Sequence, residues 1–481
     1  MLGVPMKRIL PATLLVFGSA VGAMVLRTWT LLGPAHAVSP RLASQVAVVA
    51  PVIDPGEHCN RVLVETVRLG PEPPLDPEPL VGTWPAFRGG RRDNVSHDGV
   101  ALADAWPAAG PPRLWQIELG DGHAGAAVYG GRVYVLDYDE EKHRDALRCF
   151  SLVSGQEIWR SSYPVEVKRN HGMSRTVPAV NEKYVVTIGP KCQVMCVERQ
   201  TGEFLWGMDL VREYGATAPL WYTAQCPLLA GDVVVLAPAG KDLLLGVDCA
   251  SGEIRWRTPN PDRWQMSHAS VMPMEIAGVS TYVYAALGGV VCVLATGDEV
   301  GQVVWETTAW DKRIVAPCPV QIDPGRLFVT SGHGAGSAIL ELAADGRSVA
   351  AVRPVEKTVL ACEQQTPVLV EGCLFGVLPK DAGQYREQFA CWHPDVGVAW
   401  RSGPERRFGL GPWVVGDGKI YALDDRGTLT MLRASTSRYE ELGRVRILNG
   451  RDAWGPLALA GRRLILRDST RMVCLDVGIQ P

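Results

Sequence analysis

The sequence has no surplus of charge in either direction: 48 Lys and Arg stand against 51 Asp and Glu, a formal net charge of −3. No basic field is available to attract a phosphate backbone, so nucleic-acid binding is not expected. Catalytic signatures are equally scarce. Gly-x-Ser-x-Gly, His-Glu-x-x-His and P-loop patterns are all missing. Two adjacent cysteines never occur, and neither does Cys-x-x-Cys-His, so no attached c-type haem is expected. Zinc-type ligand spacing is absent as well, and no metal is expected.

Glycine (51) and tryptophan (15), by contrast, are plentiful in a chain of globular composition, 47% hydrophobic and 21% charged. Both fall into one repeated pattern. In Cys249-Ala250-Ser251-Gly252-Glu253-Ile254-Arg255-Trp256 a strand ends, a Ser-Gly turn reverses the chain, and a short strand closes on tryptophan. Related copies end at Trp159, Trp206 and Trp305, so successive tryptophans lie 47, 50 and 49 residues apart. The next gap, to Trp400, is 95 residues, or two periods. Short strands and glycine turns at this period predict a β-propeller.

The copy with strands at residues 233–237, 243–248 and 253–256 gives the unit. Counting units gives eight, the last stopping near Asp476 without an outer strand. An orphan Arg113-Leu114-Trp115-Gln116-Ile117 precedes the first copy and supplies that strand, closing the ring from the N-terminal side and removing an open sheet edge. The expected fold is all-β, an eight-bladed propeller of four-stranded blades over residues 84–481, acting as a monomeric ring.

Ahead of it, Lys7 and Arg8 precede an uncharged run over residues 9–26. Its length suits a short membrane span. Basic residues on its N-terminal side place the body outside the cytoplasm. Residues 1–37 are read as an uncleaved anchor, with a signal peptide cut after Ala35-His36-Ala37 as the alternative. Both readings export the body to the periplasmic face of the envelope. Residues 38–83, with the tract Pro71-Glu72-Pro73-Pro74-Leu75-Asp76-Pro77-Glu78-Pro79, read as an extended linker holding a short strand near residues 62–67.

Twelve cysteines in an exported chain invite a disulfide reading. Position argues for free thiols. Cys149, Cys196 and Cys391 each stand six residues before a turn glycine, where another copy has Gly246. A position shared by Cys and Gly is a tight apolar slot. Equivalent slots in neighbouring blades are too far apart for a bridge, which needs Cα atoms about 5.5–6 Å apart. Cys362 with Cys373 is the pair left open to bridging.

Gly246-Val247-Asp248 followed by Ser251-Gly252 and Trp256, with its copy Cys196-Val197-Glu198, Thr201-Gly202 and Trp206, resembles the repeat of the quinoprotein-type (PQQ-like) propellers. Trp84-Pro85-Ala86-Phe87-Arg88-Gly89 and Tyr421-Ala422-Leu423-Asp424-Asp425-Arg426-Gly427 are similar to stretches in exported bacterial members of that family. The resemblance spans about residues 84–477. It implies that Trp159, Trp206, Trp256, Trp305 and Trp400 dock between blades as structural rivets. It also implies an alternative activity, a PQQ-dependent alcohol or sugar dehydrogenase using an Asp base and Ca²⁺ on oxygen ligands. The family's alcohol dehydrogenases stack a disulfide of adjacent cysteines on the quinone, and this chain has no such pair. The family further includes the propeller lipoprotein of the outer-membrane assembly machine; here the first cysteine, Cys59, lies far from the apolar run.

Non-repeating residues gather where the inner strands begin. His171, Arg175, Trp221, His268, Arg313 and Gln364 would form a polar, aromatic-floored, mildly cationic pocket at the propeller mouth, since each blade lends one loop to a shared concavity. The plain alternative is that they fill and solvate the channel. With no complete catalytic set, the leading expectation is an exported, tethered platform for an envelope protein, without catalysis or cofactor. A PQQ oxidoreductase with Ca²⁺ and a small-ligand binder at the mouth remain as alternatives.

Overall fold

A computed structural model describes residues 64–69 and 82–480 except 169 and 171, together with the backbone strand Val48–Val49. The chain divides into Met1–Val46, which lies outside the described residues, and Ala47–Pro481. The anchor, the cleavage site and the proline tract of the linker therefore fall outside the described residues. No helix among the described residues is long and apolar enough to cross a membrane.

Eight antiparallel sheets follow one another around a ring, each built on four strands. Blade 3 shows the plan: Leu228–Ala230 innermost, then Val233–Leu236, Asp242–Asp248 and Ile254–Pro259 at the rim. Blades 1 and 7 carry extra strands. In blade 1, Glu65–Arg68 pairs with the outer strand Glu157–Pro164, and Val48–Val49 pairs with Glu65–Arg68. The Glu65–Arg68 strand overlaps the expected residues 62–67, and its partner is a blade edge that would otherwise offer unpaired N–H and C=O groups. In blade 8 the outermost strand is Arg113–Glu118, paired to Arg471–Asp476 with Trp115 opposite Cys474.

The repeat has a steric cause. In six blades a small residue stands directly across from the terminal tryptophan, and a bulge follows at once: Cys149 with Trp159, Cys196 with Trp206, Gly246 with Trp256, Cys292 with Trp305, Cys391 with Trp400 and Cys474 with Trp115. The bulge turns the indole toward the next blade. There it lies on a turn glycine in left-handed conformation: a Cβ on Gly202 (φ 72°) would come within 2.5 Å of the Trp159 ring, and one on Gly252 within 2.9 Å of Trp206. The indole N–H groups of Trp115 and Trp206 then donate to Leu152 O (2.9 Å) and Cys249 O (2.8 Å) of that next blade.

Nearer the axis a second tie runs between blades. The N–H of Val177 donates to Cys226 Sγ (3.2 Å), that of Cys226 to Ser270 Oγ (2.9 Å), that of Ser270 to Cys318 Sγ (3.2 Å) and that of Cys318 to Thr366 Oγ1 (2.8 Å). The starts of five inner strands are thereby laced through four small hydroxyl and thiol acceptors. All eleven described cysteines are free and buried, Cys362 and Cys373 included. Burial pushes the Cys226 thiol up to about 12, which keeps it protonated in this role.

The channel is not an open bore. Residues 84–98 rise into it and return. Trp84 exchanges both main-chain hydrogen bonds with Val128 of blade 1 (2.8 Å each), and Pro85 O accepts from Val180 of blade 2. Val95–Ser96 lies parallel to Val415 and Gly416, on the inner edge of blade 7. Between these anchors Arg88 donates to the carbonyls of Thr366 (2.9 Å) and Pro367 (3.0 Å) in blade 6, and Arg92 to that of Pro227 (3.2 Å) in blade 3. Asp98 accepts from Gly461 N in blade 8 (2.7 Å). Six blades are pinned by fifteen residues of one loop.

Candidate functional site

Inner strands begin on short segments after each blade crossing, and several of these end in X-Pro, where proline holds the chain extended and donates nothing. The loops ahead of them converge above the stopper on a cavity of about 150 Å³. Phe87, at the tip of the stopper, is its floor; Arg175, Trp221, His268, Gln364, His123, His333, Glu363 and Trp454 are among its walls.

Four of the six residues singled out from sequence thus meet: Arg175, Trp221, His268 and Gln364. His171 lies outside the described residues. Arg313 is exposed and does not line the cavity; Ile314 and Ala316 line it instead. Sequence reasoning missed His123, His333 and Phe87; it placed the segment Asp452-Ala453-Trp454 at the mouth without choosing Trp454 for the pocket. His333 sits in the glycine-rich hairpin Gly332-His333-Gly334-Ala335-Gly336, and Phe87 in a stretch noted only for its resemblance.

Aromatic stacking organises the mouth. The Trp221 ring stacks with His268 (centroids 6.1 Å, planes 20° apart) and with His333 (5.9 Å, 29°). Across the ring, between blades 7, 8 and 1, His123 meets Trp454 (5.2 Å, 38°). Trp221 and Tyr222 both hold positive φ, 68° and 70°, a conformation that costs a non-glycine residue about 1 kcal/mol or more. The Tyr222 hydroxyl secures them: it donates to Lys168 O and accepts from Lys168 N, both at 2.7 Å.

The charges are set by burial. His268 is pushed down to about 4, first by desolvation and then by the Arg175 guanidinium, so its imidazole is neutral at physiological pH. Arg175 itself is lowered to about 10 by burial and remains charged; its Nη2 donates to Asn170 O (2.9 Å). Gln364 Nε2 donates to Leu410 O (3.0 Å) and Gln365 Nε2 to Trp454 O (3.1 Å), which fixes both amides. Glu363 is the carboxylate of the lining; its Oε2 accepts from Lys380 N (3.3 Å) and its Oε1 lies 4.0 Å from His333 Nε2. Behind the Arg175 loop, Ser174 Oγ donates to Asp145 Oδ1 (2.5 Å) and Tyr163 to Oδ2 (2.9 Å). Burial raises this carboxyl to about 7.

Comparison with known proteins shows what these features are similar to. Residues 143–351 match the family model described as outer membrane protein assembly factor BamB. No curated protein matches the chain. Among solved structures, BamB from Moraxella catarrhalis aligns with a TM-score of 0.52 at 14% identity, covering 76% of this chain and 99% of that one. Quinohemoprotein alcohol dehydrogenase from Comamonas testosteroni aligns at 0.58 and 10% identity, covering 84% and 81%. A europium-containing methanol dehydrogenase aligns at 0.55 and 13%, covering 82% and 89%. At such identities the likeness is one of fold. The chain resembles the quinoprotein-type, PQQ-like repeat propellers, by its repeat over residues 143–351 and by its ring over most of its length.

Proposed function

We propose that this protein is a platform in the cell envelope on which another envelope protein assembles, without catalysis of its own. It works as a monomeric propeller, closed by the Arg113–Glu118 strand, riveted by docked tryptophans and held on the exported side of the membrane by residues 9–26. The observation that carries this reading is the stoppered channel. Where a cofactor-dependent propeller needs an axial chamber, residues 84–98 occupy the bore and leave about 150 Å³ above Phe87. Pockets for drug-sized ligands run to about 300–1,000 Å³. The BamB family match supports the same reading.

A quinone with Ca²⁺ would ask for six to eight or so oxygen ligands around the ion. The cavity offers one carboxylate, Glu363, already engaged by Lys380 N. Among the described residues no group of three His, Cys, Asp or Glu side chains converges as metal ligands. The donor set does not fit calcium.

The test is photo-crosslinking in intact cells, with a crosslinking residue at Leu220 on the mouth (65% exposed) or at Val303 on a blade edge (42% exposed). One envelope protein should be captured from Leu220 and none from Val303. Absence of any adduct at the mouth, joined to saturable pyrroloquinoline quinone binding and dye-linked alcohol oxidation by the purified chain with Ca²⁺, would replace the platform with an oxidoreductase.

A further inference from the structure

The cavity is too small for a large cofactor, yet it is furnished well beyond what filling a channel requires. Its volume of about 150 Å³ is close to that of the engineered protein cavity that admits benzene. Its walls are flat rings: Trp221 and its two imidazoles on one side, Trp454 with His123 on the other, Phe87 below. A packing role would be met by aliphatic side chains in relaxed backbone. Here the backbone holds Trp221 and Tyr222 at positive φ, and the Tyr222 hydroxyl is committed on both sides to keep them there.

Cations and carboxylates both stand around the cavity. Arg175 is in its lining. Arg88 follows Phe87 in the floor, and Arg92 donates to Pro227 O, one residue past the lining residue Cys226. Arg467 stands behind His123, donating to Ala124 O (3.3 Å) and Gly120 O (3.2 Å). Arg88, Arg92 and Arg467 are at most 5% exposed, and among the described residues none of the three forms an ion pair with a carboxylate. Arg92 Nη1 is buried with no hydrogen-bond partner among them. Against these cations stand Glu363 in the lining, Asp121 near Arg175 and Arg467, and Asp425, whose Oδ1 accepts from Trp454 Nε1 (2.8 Å). Within the lining Arg175 is the group that can meet a negative charge directly, and burial weakens the screening of that contact. His268 adds no charge to it, being held neutral.

We propose that the channel mouth binds a small aromatic carboxylate, one ring between the Trp221 and Trp454 clusters with its acid group toward Arg175. Ring stacking gives the flat shape and a charge-assisted hydrogen bond gives the sign. The same chemistry is offered by a free aromatic acid and by the carboxyl-terminal phenylalanine of a polypeptide. The site goes beyond the platform reading and stands or falls without it.

The experiment is titration of the purified full chain, followed by tryptophan fluorescence, with benzoate, benzyl alcohol, acetate and a tetrapeptide ending in a free phenylalanine carboxylate. Benzoate should bind saturably and about tenfold or more tighter than benzyl alcohol, which keeps the ring, or acetate, which keeps the charge. Arg175→Gln should erase the preference for benzoate over benzyl alcohol, while Arg313→Gln on the exposed rim leaves it intact. Should Arg175→Gln lower the melting temperature, His333→Ala takes its place, because His333 is exposed and its ring stacks on Trp221; benzoate and benzyl alcohol should then weaken together. Tighter binding of benzoate than of the peptide assigns a free acid, and the reverse assigns a chain end. Equal affinity for benzoate and benzyl alcohol in the native chain, or no saturable binding of benzoate, overturns the site.

Discussion

At one end of the channel Arg88 and Arg92 are buried and spend their N–H groups on main-chain carbonyls of blades 3 and 6. At the other end, on the far side of the stopper and with Phe87 in the same lining, Arg175 and His268 face a cavity. Both ends use the starts of the inner strands, so the difference is in what meets them. At the stoppered end a single loop answers backbone with backbone and guanidinium with carbonyl. At the mouth each blade contributes an unrelated loop, and the groups that meet are side chains able to accept a visitor. The first arrangement makes stability and the second makes a site.

The largest effect expected from this contrast is at Arg88. Truncation to alanine leaves the carbonyls of Thr366, Pro367, Arg92 and Asp93 without their donor inside the ring. Each buried unpaired group costs about 1 kcal/mol or more. Arg88→Ala should therefore lose roughly 3–4 kcal/mol in urea unfolding. Lysine should rescue little, since an ammonium lacks the fork that reaches two carbonyls at once. Gln364→Ala at the mouth removes one part-buried hydrogen bond and should cost about 1 kcal/mol. Equal losses at the two positions would break the comparison.

How much of this could be read before the structure depends on whether a residue repeats. The blade edges were legible because Trp159, Trp206, Trp256 and Trp305 recur in register with their turn glycines and with a small residue opposite. Periodicity converts a weak local signal into a strong one. The stopper repeats nothing: the Arg88 partners lie 278 and 279 residues away and are backbone atoms, which leave no mark in side-chain pattern. The lacing of Cys226, Ser270, Cys318 and Thr366 was hidden because three residue types serve one acceptor role. At the mouth, loop membership was legible and direction was not. Arg313 is exposed at a bend, while Ile314 and Ala316 just beyond it line the cavity. His333 was passed over because glycines flank it, although those glycines let its hairpin bring the ring onto Trp221.

A second prediction separates the two ends by pH. Asp145 anchors the Arg175 loop through Ser174, and its carboxyl is raised from 3.8 to about 7 by burial. A raised carboxyl works against the fold as pH climbs: the unfolded chain ionises first, so stability is full below about 4 and falls away as pH rises through about 7. Asp145→Asn keeps an acceptor for Tyr163 and cannot ionise. The variant should gain on the native chain by roughly 2–4 kcal/mol between pH 4 and pH 8. The deficit of Arg88→Ala should stay constant over the same window, because Arg88, lowered to about 10, remains charged throughout it. Parallel denaturant titrations at pH 4, 6 and 8 read both. An Asp145→Asn difference that does not move with pH would mean that water reaches this carboxyl.

The smallest effect tests whether the mouth is arranged for shape at the cost of ease. Tyr222→Phe removes one hydroxyl and both of its bonds to Lys168, leaving ring and cavity volume unchanged. Global stability should fall by about 1 kcal/mol or less, since Lys168 lies at the surface where water can replace the lost partner. The local consequence should be larger in proportion. Without the clamp, Trp221 and Tyr222 are free to relax from φ near 70° toward ordinary backbone, and the Trp221 ring would leave the stack with His268 and His333. Benzoate affinity should then drop several-fold while the urea midpoint barely shifts. A variant that binds as the native chain does would show that packing against the two imidazoles, rather than the hydroxyl, sets the rotamer. The strain at Trp221 would then be held by the ring of blades as a whole.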